Sequence, residues 1–353
     1  MEASAPSDAP LVSIVIPARN ESRAIVRCVE SALAARYPRL EVIVVDDHST
    51  DDTNVLAHAI AARDARLRIV TPDPLPHGWF GKQWACAAGA SHAQGEIIAF
   101  IDADTWQAPD LVPRVVNAMR ARGSDMLTVA GTQEMGSFWE RLLQPQVFAI
   151  LLARYGGTEL VNASPRVSDK IANGQCLFFT RAAYDGVGGH ASVRGKVAED
   201  LALAQRLFTL GYRTTIVIGM DQFSTRMYAS LRELADGWGK NVYAGGVDAM
   251  PAGLAGRLLF PLLLPLPALS GLLPPLLLGL ALAGVLGHGW LVWSACVSAI
   301  NLVWWVAVYA ALGLSPLYAL LHPLGAAVLL YISVRAIARG RRVQWKGRSY
   351  VAR

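Results

Sequence analysis

Residues 96–104 read EIIAFIDAD, an apolar run that ends in two aspartates. The first six residues predict a buried strand, because a short apolar run bounded by turn residues is typical of a strand covered on both faces. Three similar runs precede it, at residues 11–16 (LVSIVI), 41–45 (EVIVV) and 67–70 (LRIV). The N-terminal part of the chain therefore contains four candidate strands.

Segments with helical spacing follow these strands, at residues 21–36, 50–62 and 82–93. Strands that alternate with helices predict an α/β fold with a largely parallel sheet. Residues 110–215 continue as mixed α/β sequence. Ligands of such open sheets bind outside the carboxyl ends of the strands. Acidic residues follow two strands here, as Asp46-Asp47 and as Asp102-Ala103-Asp104.

The C-terminal part of the chain is strongly apolar. Residues 258–334, a run of 77, contain no Asp, Glu, Lys or Arg. A membrane-spanning helix needs about 20 apolar residues, so this run excludes a wholly soluble protein. Glycine breaks at 287–289 and 313–316 predict spans near 262–286, 290–312 and 316–336, within a transmembrane region of two to four helices at 258–337. Five prolines leave open whether the first segment is re-entrant or interfacial.

Charge is concentrated at the C-terminus. Residues 335–353 hold seven basic and no acidic residues, whereas the rest of the chain is slightly acidic. We expect residues 338–353 to be a basic cytoplasmic tail on anionic lipid; the acidic body disfavours nucleic-acid binding. Residues 1–10 are read as a flexible lead-in and lack the features of a signal peptide. Three spans would separate the tail from the N-terminal domain, whereas the positive-inside rule requires an even number.

Asp102 and Asp104 are candidate ligands of a divalent cation. Mg²⁺ binds through one or two carboxylates together with substrate phosphates, which suits a nucleotide diphosphate; a polar turn is the alternative. Asp46 and Asp47 are placed to accept hydrogen bonds from a base or a ribose. The position of Lys82 at a helix start would let it meet a phosphate.

Glu199 and Asp200 precede an apolar helical pattern, so one of them is a candidate general base, or the pair simply begins a helix. Arg226 and Lys240 are either phosphate contacts near the membrane or solvated charges. Residues 137–154 fit an interfacial helix or a core helix equally well. Residues 225–242 form an amphipathic pattern that includes Trp238, expected at the junction between the domain and the membrane.

Several enzyme classes are disfavoured because the chain lacks their motifs. The chain has no G-x-x-x-x-G-K-[ST] or G-x-G-x-x-G loop, no H-E-x-x-H and no G-x-S-x-G. NTPases, dinucleotide oxidoreductases, zinc hydrolases and common α/β-hydrolases are therefore disfavoured. The four cysteines are scattered and predict neither a disulfide framework nor a zinc site.

Five segments in register resemble family 2 glycosyltransferases, over about residues 11–245. They are SIVIPARNES (13–22), VIVVDDHSTDDT (42–53), GWFGKQWACAAGA (78–90), AFIDADT (99–105) and AEDLALAQRL (198–207). NGQCLFFTRAAY (173–184), TRMYASLRELADGWGKN (225–241) and WKGRSY (345–350) are similar to a membrane-attached subgroup that glycosylates lipids such as carotenoid acids and includes hopanoid-associated enzymes. The resemblance implies a GT-A nucleotide-diphospho-sugar transferase fold, with a C-terminal transmembrane helical region.

The resemblance also implies roles for individual residues. The nucleotide-sugar pocket would be lined by Pro17, Ala18, Arg19, Asn20 and Glu21. Asp46 and Asp47 would bind uridine. Lys82 would lie near the ribose or diphosphate, and Asp102 would also contact the nucleotide sugar. Asp104, with Asp102, would hold the metal, and Asp200 would be the catalytic base. The acceptor side would include Gly174, Gln175, Glu199, Arg226, Trp238 and Lys240. The Q-x-x-R-W motif of processive enzymes is replaced by residues 237–241 (GWGKN), which argues against a polysaccharide synthase.

The expected function is that of a membrane-bound inverting glycosyltransferase. It would move a sugar from a UDP-sugar to a carotenoid, hopanoid or other isoprenoid or glycolipid acceptor, with Mg²⁺ or Mn²⁺. It would be a multi-pass protein of the inner cell membrane with a cytoplasmic catalytic domain. Two alternatives remain open: a polyprenyl-phosphate sugar synthase, and a non-catalytic nucleotide-sensing membrane scaffold.

Overall fold

The computed structural model describes residues 4–248, 250, 253–340, 342–346 and 348–351. The chain forms two compact units. The first, which we call the α/β unit, comprises Met1–Glu134, Gly157–Met227 and Arg342–Arg353. The second, the helical unit, comprises Met135–Gly156 and Tyr228–Arg341.

The strands are β1 (Val12–Ala18), β2 (Leu40–Asp46), β3 (Leu67–Val70), β4 (Ile97–Ile101), β5 (Thr105–Gln107), β6 (Met126–Ala130), β7 (Thr132–Gln133), β8 (Cys176–Thr180), β9 (Thr214–Ile218), β10 (Phe223–Thr225), β11 (Arg342–Trp345) and β12 (Arg348–Val351). The α-helices are α1 (Ile25–Leu33), α2 (Thr53–Ala61), α3 (Gly81–His92), α4 (Leu111–Arg122), α5 (Phe138–Tyr155), α6 (Thr158–Ala163), α7 (Arg181–Gly186), α8 (Glu199–Thr209), α9 (Leu231–Asp248), α10 (Gly253–Leu263), α11 (Leu266–Leu282), α12 (His288–Ala311) and α13 (His322–Arg339).

A seven-stranded sheet of order β3-β2-β1-β4-β8-β6-β9 forms the centre of the α/β unit. The first four strands are parallel, as the alternating pattern predicts. β8 alone runs antiparallel, to both β4 and β6, so the seven-stranded sheet is largely parallel, as predicted, with one antiparallel strand. Strands β5, β10 and β7 make a second, smaller sheet.

Apolar side chains on both faces hold the sheet between helices. Ile14 and Ile16 of β1 pack in one buried cluster with residues of α1 and α4. Their neighbour Val15 points to the other face, in a cluster with Cys86 of α3 and Leu203 of α8. Because both faces are covered, β4 is buried along its whole length, which explains why these strands are continuous apolar runs.

The helical unit includes segments that the sequence assigned to the predicted domain of residues 11–245. α5 and α9 belong to this unit, where they contact α13. Tyr309 of α12 donates a hydrogen bond of 2.8 Å to the carbonyl of Leu142 in α5. The helix predicted at 225–242 begins only at Leu231, because Thr225 instead pairs with Thr105 in the second sheet.

Three helices within the described residues are long and apolar enough to cross a membrane. They span Ala255–Leu282, His288–Ala311 and Pro316–Arg339, close to the predicted segments. Large apolar side chains along them are exposed, among them Leu282 at 71% and Ile300 at 68%. An apolar surface of this extent indicates association with a membrane.

The segment predicted as a basic tail has a different structure. Arg339 still lies in α13, and β11 and β12 then pair as an antiparallel hairpin. This C-terminal hairpin belongs to the α/β unit. Two of its basic side chains, Lys346 and Arg348, form ion pairs with carboxylates of that unit.

Candidate active site

The loops after β1 and β2 are joined by hydrogen bonds at the carboxyl end of the sheet. The Asn20 N–H donates to Ser49 Oγ at 3.0 Å, and Asn20 Oδ1 accepts from the Thr50 N–H at 2.8 Å. The Glu21 N–H donates to Thr53 Oγ1 at 2.8 Å. Asn20 adopts a φ of +53°, which asparagine tolerates better than most residues. Together these bonds fix the loop that the sequence assigns to nucleotide binding.

The carboxylates at the end of β2 are both engaged within the protein. Asp46 accepts from the Ser49 N–H at 3.3 Å and from Asn54 Nδ2 at 2.9 Å. Asp47 has a side chain that is 1% exposed, and both of its oxygens are held by the Arg348 guanidinium at 2.5 and 3.1 Å. Neighbouring Ala18 accepts the backbone N–H of Asp47, while Pro17 lies one position earlier in β1.

Asp102 and Asp104 follow β4, at the same edge of the sheet. Asp104 Oδ1 is buried and has no hydrogen-bond partner among the described residues. Burial, together with the nearby charges of Asp102 and Glu21, raises the pKa of Asp104. A cation would supply the missing partner and favour the ionised carboxylate, so these residues fit a divalent metal.

The described residues contain no cluster of three or more His, Cys, Asp or Glu residues that could hold a metal. A metal at Asp104 and Asp102 would therefore take its remaining ligands from a bound phosphate and water, as is usual for Mg²⁺.

Lys82 connects the two predicted carboxylate motifs. Its Nζ lies 2.7 Å from Asp102 Oδ1 and 3.2 Å from Glu199 Oε1, and it donates to the Gly174 carbonyl at 3.2 Å. Burial alone would lower the pKa of Lys82, but Asp102 and Glu199 raise it well above its ordinary value. Lys82 is thus a permanent cation between the candidate metal ligands and the candidate base pair.

Asp200 begins α8 beside Glu199. Its Oδ2 accepts from the Gly174 N–H and its Oδ1 from the Leu201 N–H, each at 2.8 Å. Burial and the charge of Glu199 raise the pKa of Asp200, which suits a general base. A Cβ on Gly174 would lie 2.8 Å from Asp200 Oδ2, so only glycine leaves this carboxylate in place.

The other predicted acceptor-side residues fall into two groups. Gln175 donates to Thr225 Oγ1 at 3.3 Å, and the Arg226 N–H donates to the Asp104 carbonyl at 3.4 Å. Both therefore lie in the α/β unit near the site. Trp238 and Lys240 lie in α9 of the helical unit, where the Trp238 ring packs against Phe148 and Tyr228.

The C-terminal hairpin contacts several of the predicted site residues, which the sequence did not predict. Besides Arg348 on Asp47, Lys346 Nζ lies 2.9 Å from Glu21 Oε1 and donates to the Asn20 carbonyl at 3.2 Å. Arg19 Nε donates back to the Lys346 carbonyl at 3.4 Å. The segment WKGRSY (345–350) contains these residues and resembles the membrane-attached subgroup, but the basic residues of the C-terminus were predicted to bind lipid.

Part of the chain matches a known protein family. The family model "Glycosyl transferase family 2" matches residues 13–187. Two curated relatives are 4,4'-diaponeurosporenoate glycosyltransferases of Staphylococcus aureus. That of strain MRSA252 is 27% identical over 252 residues, covering 70% of this chain and 65% of its own length. That of strain USA300 is 28% identical over 243 residues, covering 68% of this chain and 63% of its own length.

A solved structure has a similar fold. The mannosyltransferase PcManGT from Pyrobaculum calidifontis, in complex with GDP-Man and Mn²⁺, has a TM-score of 0.57 and 20% sequence identity. The match covers 95% of this chain and 89% of that one. Residues 13–187 therefore form a family 2 glycosyltransferase domain, and the sheet order and the similarity to PcManGT show that this chain has the GT-A fold.

Proposed function

We propose that the protein is a membrane-bound inverting glycosyltransferase that moves a sugar from a UDP-sugar to a lipid acceptor. One observation carries this proposal: a single ammonium, Lys82, lies within 3.2 Å of both Asp102 and Glu199. The candidate metal ligand Asp102 and Glu199, the chain neighbour of the candidate base Asp200, therefore flank one charged centre. The Asp102–Asp104 pair and Asp200 are all present, which a non-catalytic nucleotide sensor would not need.

The donor diphosphate is proposed to bind outside the carboxyl ends of β1, β2 and β4, where open sheets bind ligands. Asp104 and Asp102 would hold a divalent cation, Mg²⁺ or Mn²⁺, which offsets the charge of the departing diphosphate. Lys82 holds Asp102 in position and adds positive charge beside the leaving group. PcManGT was solved with GDP-Man and Mn²⁺, which supports a nucleotide-sugar donor with a metal.

Asp200 is proposed as the base. Its carboxylate takes the proton from an acceptor hydroxyl as the acceptor oxygen attacks the anomeric carbon, and the bond from that carbon to the diphosphate oxygen breaks. Attack from the face opposite the diphosphate inverts the configuration. The raised pKa of Asp200 makes its carboxylate a better proton acceptor than an ordinary aspartate.

The acceptor is proposed to be an isoprenoid lipid. The curated relatives are named for 4,4'-diaponeurosporenoate, which favours a carotenoid acid or a related lipid. A carboxylic acid is already ionised near neutral pH, so with such an acceptor Asp200 would contribute less as a base. The three apolar helices support a membrane location in which a lipid is presented to the site.

The C-terminal hairpin bears on membrane topology. β10 precedes all three candidate spans and β12 follows them, yet both belong to the α/β unit. This shared unit favours both ends of the membrane region on one side, and so an even number of crossings. We propose that the first candidate span, interrupted between α10 and α11 and rich in proline, is re-entrant, and that the α/β unit faces the cytoplasm.

Replacement of the base tests the proposal and the acceptor type together. In membranes that contain the protein, Asp200→Asn is expected to slow transfer to a hydroxyl acceptor by about 10²–10⁴-fold, with nucleotide affinity unchanged. The matched control is Asp185→Asn, which removes an exposed carboxylate. A loss of less than about tenfold would indicate an acceptor that arrives ionised. Failure of the wild-type protein to bind UDP or GDP with Mn²⁺ would contradict the proposed function.

A further inference from the structure

The C-terminal hairpin reaches the loops where the donor nucleotide is expected. Its turn residue Lys346 contacts Asn20 and Glu21, which follow β1. The next described residue, Arg348, holds Asp47, which follows β2. Three residues that the sequence assigned to the donor pocket are therefore contacted by a segment about 300 positions later in the chain.

The pairing of Arg348 with Asp47 anchors the hairpin. Asp47 is almost fully buried, and two oxygens meet two guanidinium nitrogens, the strongest geometry for this type of pair. Removing Arg348 to admit a ligand would leave a buried carboxylate unpaired, which is strongly unfavourable. The hairpin is therefore built to stay when the donor binds.

Aromatic contacts fix the other end of the hairpin. The Tyr350 ring lies 4.6 Å from the Phe80 ring, centroid to centroid, and its hydroxyl accepts the Gly81 N–H at 3.3 Å. Gly81 is the first residue of α3, one position before Lys82. The hairpin thus contacts the loop after β1, the loop after β2 and the start of α3.

Lys346 adds positive charge where the α/β unit has an excess of carboxylates. Its ammonium pairs with Glu21 and acts electrostatically on Asp104, and its side chain is 32% exposed. A nucleoside diphosphate approaching Glu21, Asp102 and Asp104 meets like charge, which a metal offsets only in part. An exposed lysine at this point is suited to contact a phosphate.

We propose that the C-terminal hairpin forms one wall of the donor site. Lys346 binds the diphosphate, and Arg348 is a positioning residue that holds Asp47 and the turn in place. The inference rests on the proposed function, since it assigns donor-binding residues for that reaction. It assigns the basic segment after the membrane helices to substrate rather than to lipid.

Titration of the purified full-length protein with nucleotide tests this assignment. Four proteins are compared: wild type, Lys346→Gln, Arg348→Lys and Arg342→Gln. Arg342 is the matched control, because it is an exposed basic residue of the same hairpin. Affinities are measured by calorimetry for UDP and for GDP, each with Mn²⁺, and for the corresponding nucleoside by competition.

Lys346→Gln is expected to weaken nucleoside diphosphate binding by about ten- to a hundredfold, the effect of losing one charge-assisted hydrogen bond. It should leave nucleoside affinity unchanged, whereas a merely structural role would alter both. Arg348→Lys keeps the charge but loses the two-point pairing, so it should weaken nucleoside and nucleoside diphosphate alike. Arg342→Gln should match the wild type.

Two other outcomes would overturn the inference while leaving the proposed function intact. Wild-type affinity in Lys346→Gln would show that this lysine does not contact the donor. Tighter binding in Lys346→Gln or Arg348→Lys would show that the hairpin blocks the pocket. If the wild-type protein bound neither UDP nor GDP, the proposed function would fail and the inference with it.

Discussion

Asp104→Asn should leave the metal-free protein as stable as the wild type, or more stable, while abolishing its response to metal. Asp104 Oδ1 is buried without a hydrogen-bond partner in the described structure, and burial disfavours its ionised form. An unsatisfied buried polar group costs about 1–3 kcal/mol, and more when it is charged. Asparagine removes the charge and keeps the shape.

The sign depends on pH. The pKa of Asp104 is higher in the folded protein than in the unfolded chain. The contribution of the Asp104 side chain to stability is therefore complete below the pKa of the unfolded chain, and it is lost as the pH rises through the pKa of the folded protein. The gain from Asp104→Asn should therefore be largest at neutral pH and should disappear in acid. For a unit of this size, 1 kcal/mol shifts Tm by about 2–4 °C.

Metal and nucleotide should reverse the order of stability. A ligand at 100 times its Kd stabilises the folded state by about 2.7 kcal/mol, or about 5–10 °C in the wild type by the same scaling. Asp104→Asn should lose most of this gain. Thermal unfolding is followed in detergent with EDTA, with Mn²⁺, and with Mn²⁺ plus UDP. Asp185→Asn, an exposed change of the same kind, is the control.

Two results would contradict this prediction. Destabilisation of Asp104→Asn by several degrees in EDTA would mean that Asp104 has a partner that the geometry does not show. A full response of Asp104→Asn to Mn²⁺ plus UDP would mean that the metal lies elsewhere.

Three other predictions concern the base and the membrane region. Gly174→Ala places a Cβ 2.8 Å from Asp200 Oδ2, and a displaced catalytic group can cost about 10²-fold in rate. The rate of sugar transfer should therefore fall while nucleotide affinity stays unchanged. The control Gly239→Ala, whose added Cβ would have no atom within 4 Å, should keep the wild-type rate. With a hydroxyl acceptor, kcat/KM should fall as the pH drops through the raised pKa of Asp200. This decrease at acid pH should be absent in Asp200→Asn. A decrease centred on the ordinary aspartate pKa of about 3.9 would contradict the assignment of Asp200 as the base. Fusion reporters at the C-terminus should show it on the cytoplasmic side, with green fluorescence and no alkaline phosphatase activity; the opposite pattern would refute an even number of crossings.

The strands that carry the site could be predicted closely from the sequence. Residues 41–45 lie within β2, and residues 96–101 differ from β4 by one residue. These strands are covered on both faces, so nearly every side chain must be apolar and the pattern is local. The carboxylates after β4 were identified for the same reason, since a strand fixes where its following residues lie.

Contacts between distant parts of the chain could not be predicted. Nothing local distinguishes Arg348 on a buried aspartate from an arginine on anionic lipid, and the apolar run beside it favoured lipid. The antiparallel insertion of β8 between β4 and β6 likewise depends on pairing across the sheet. Lys82 was singled out, but its position between Asp102 and Glu199 emerges only when three separate segments meet.

Transfer of labelled sugar into lipid tests the central claim most directly. Membranes that contain the protein are incubated with radiolabelled UDP- and GDP-sugars and the host's lipid extract, and label is counted in the organic phase with and without EDTA. We predict that label from a UDP-sugar enters the lipid, that EDTA abolishes this transfer, and that Asp104→Ala shows none. Lability of the product to mild acid would identify a polyprenyl phosphate as the acceptor. Absence of label in lipid with every donor, from folded protein that binds UDP and Mn²⁺, would contradict the claim that the site glycosylates a lipid.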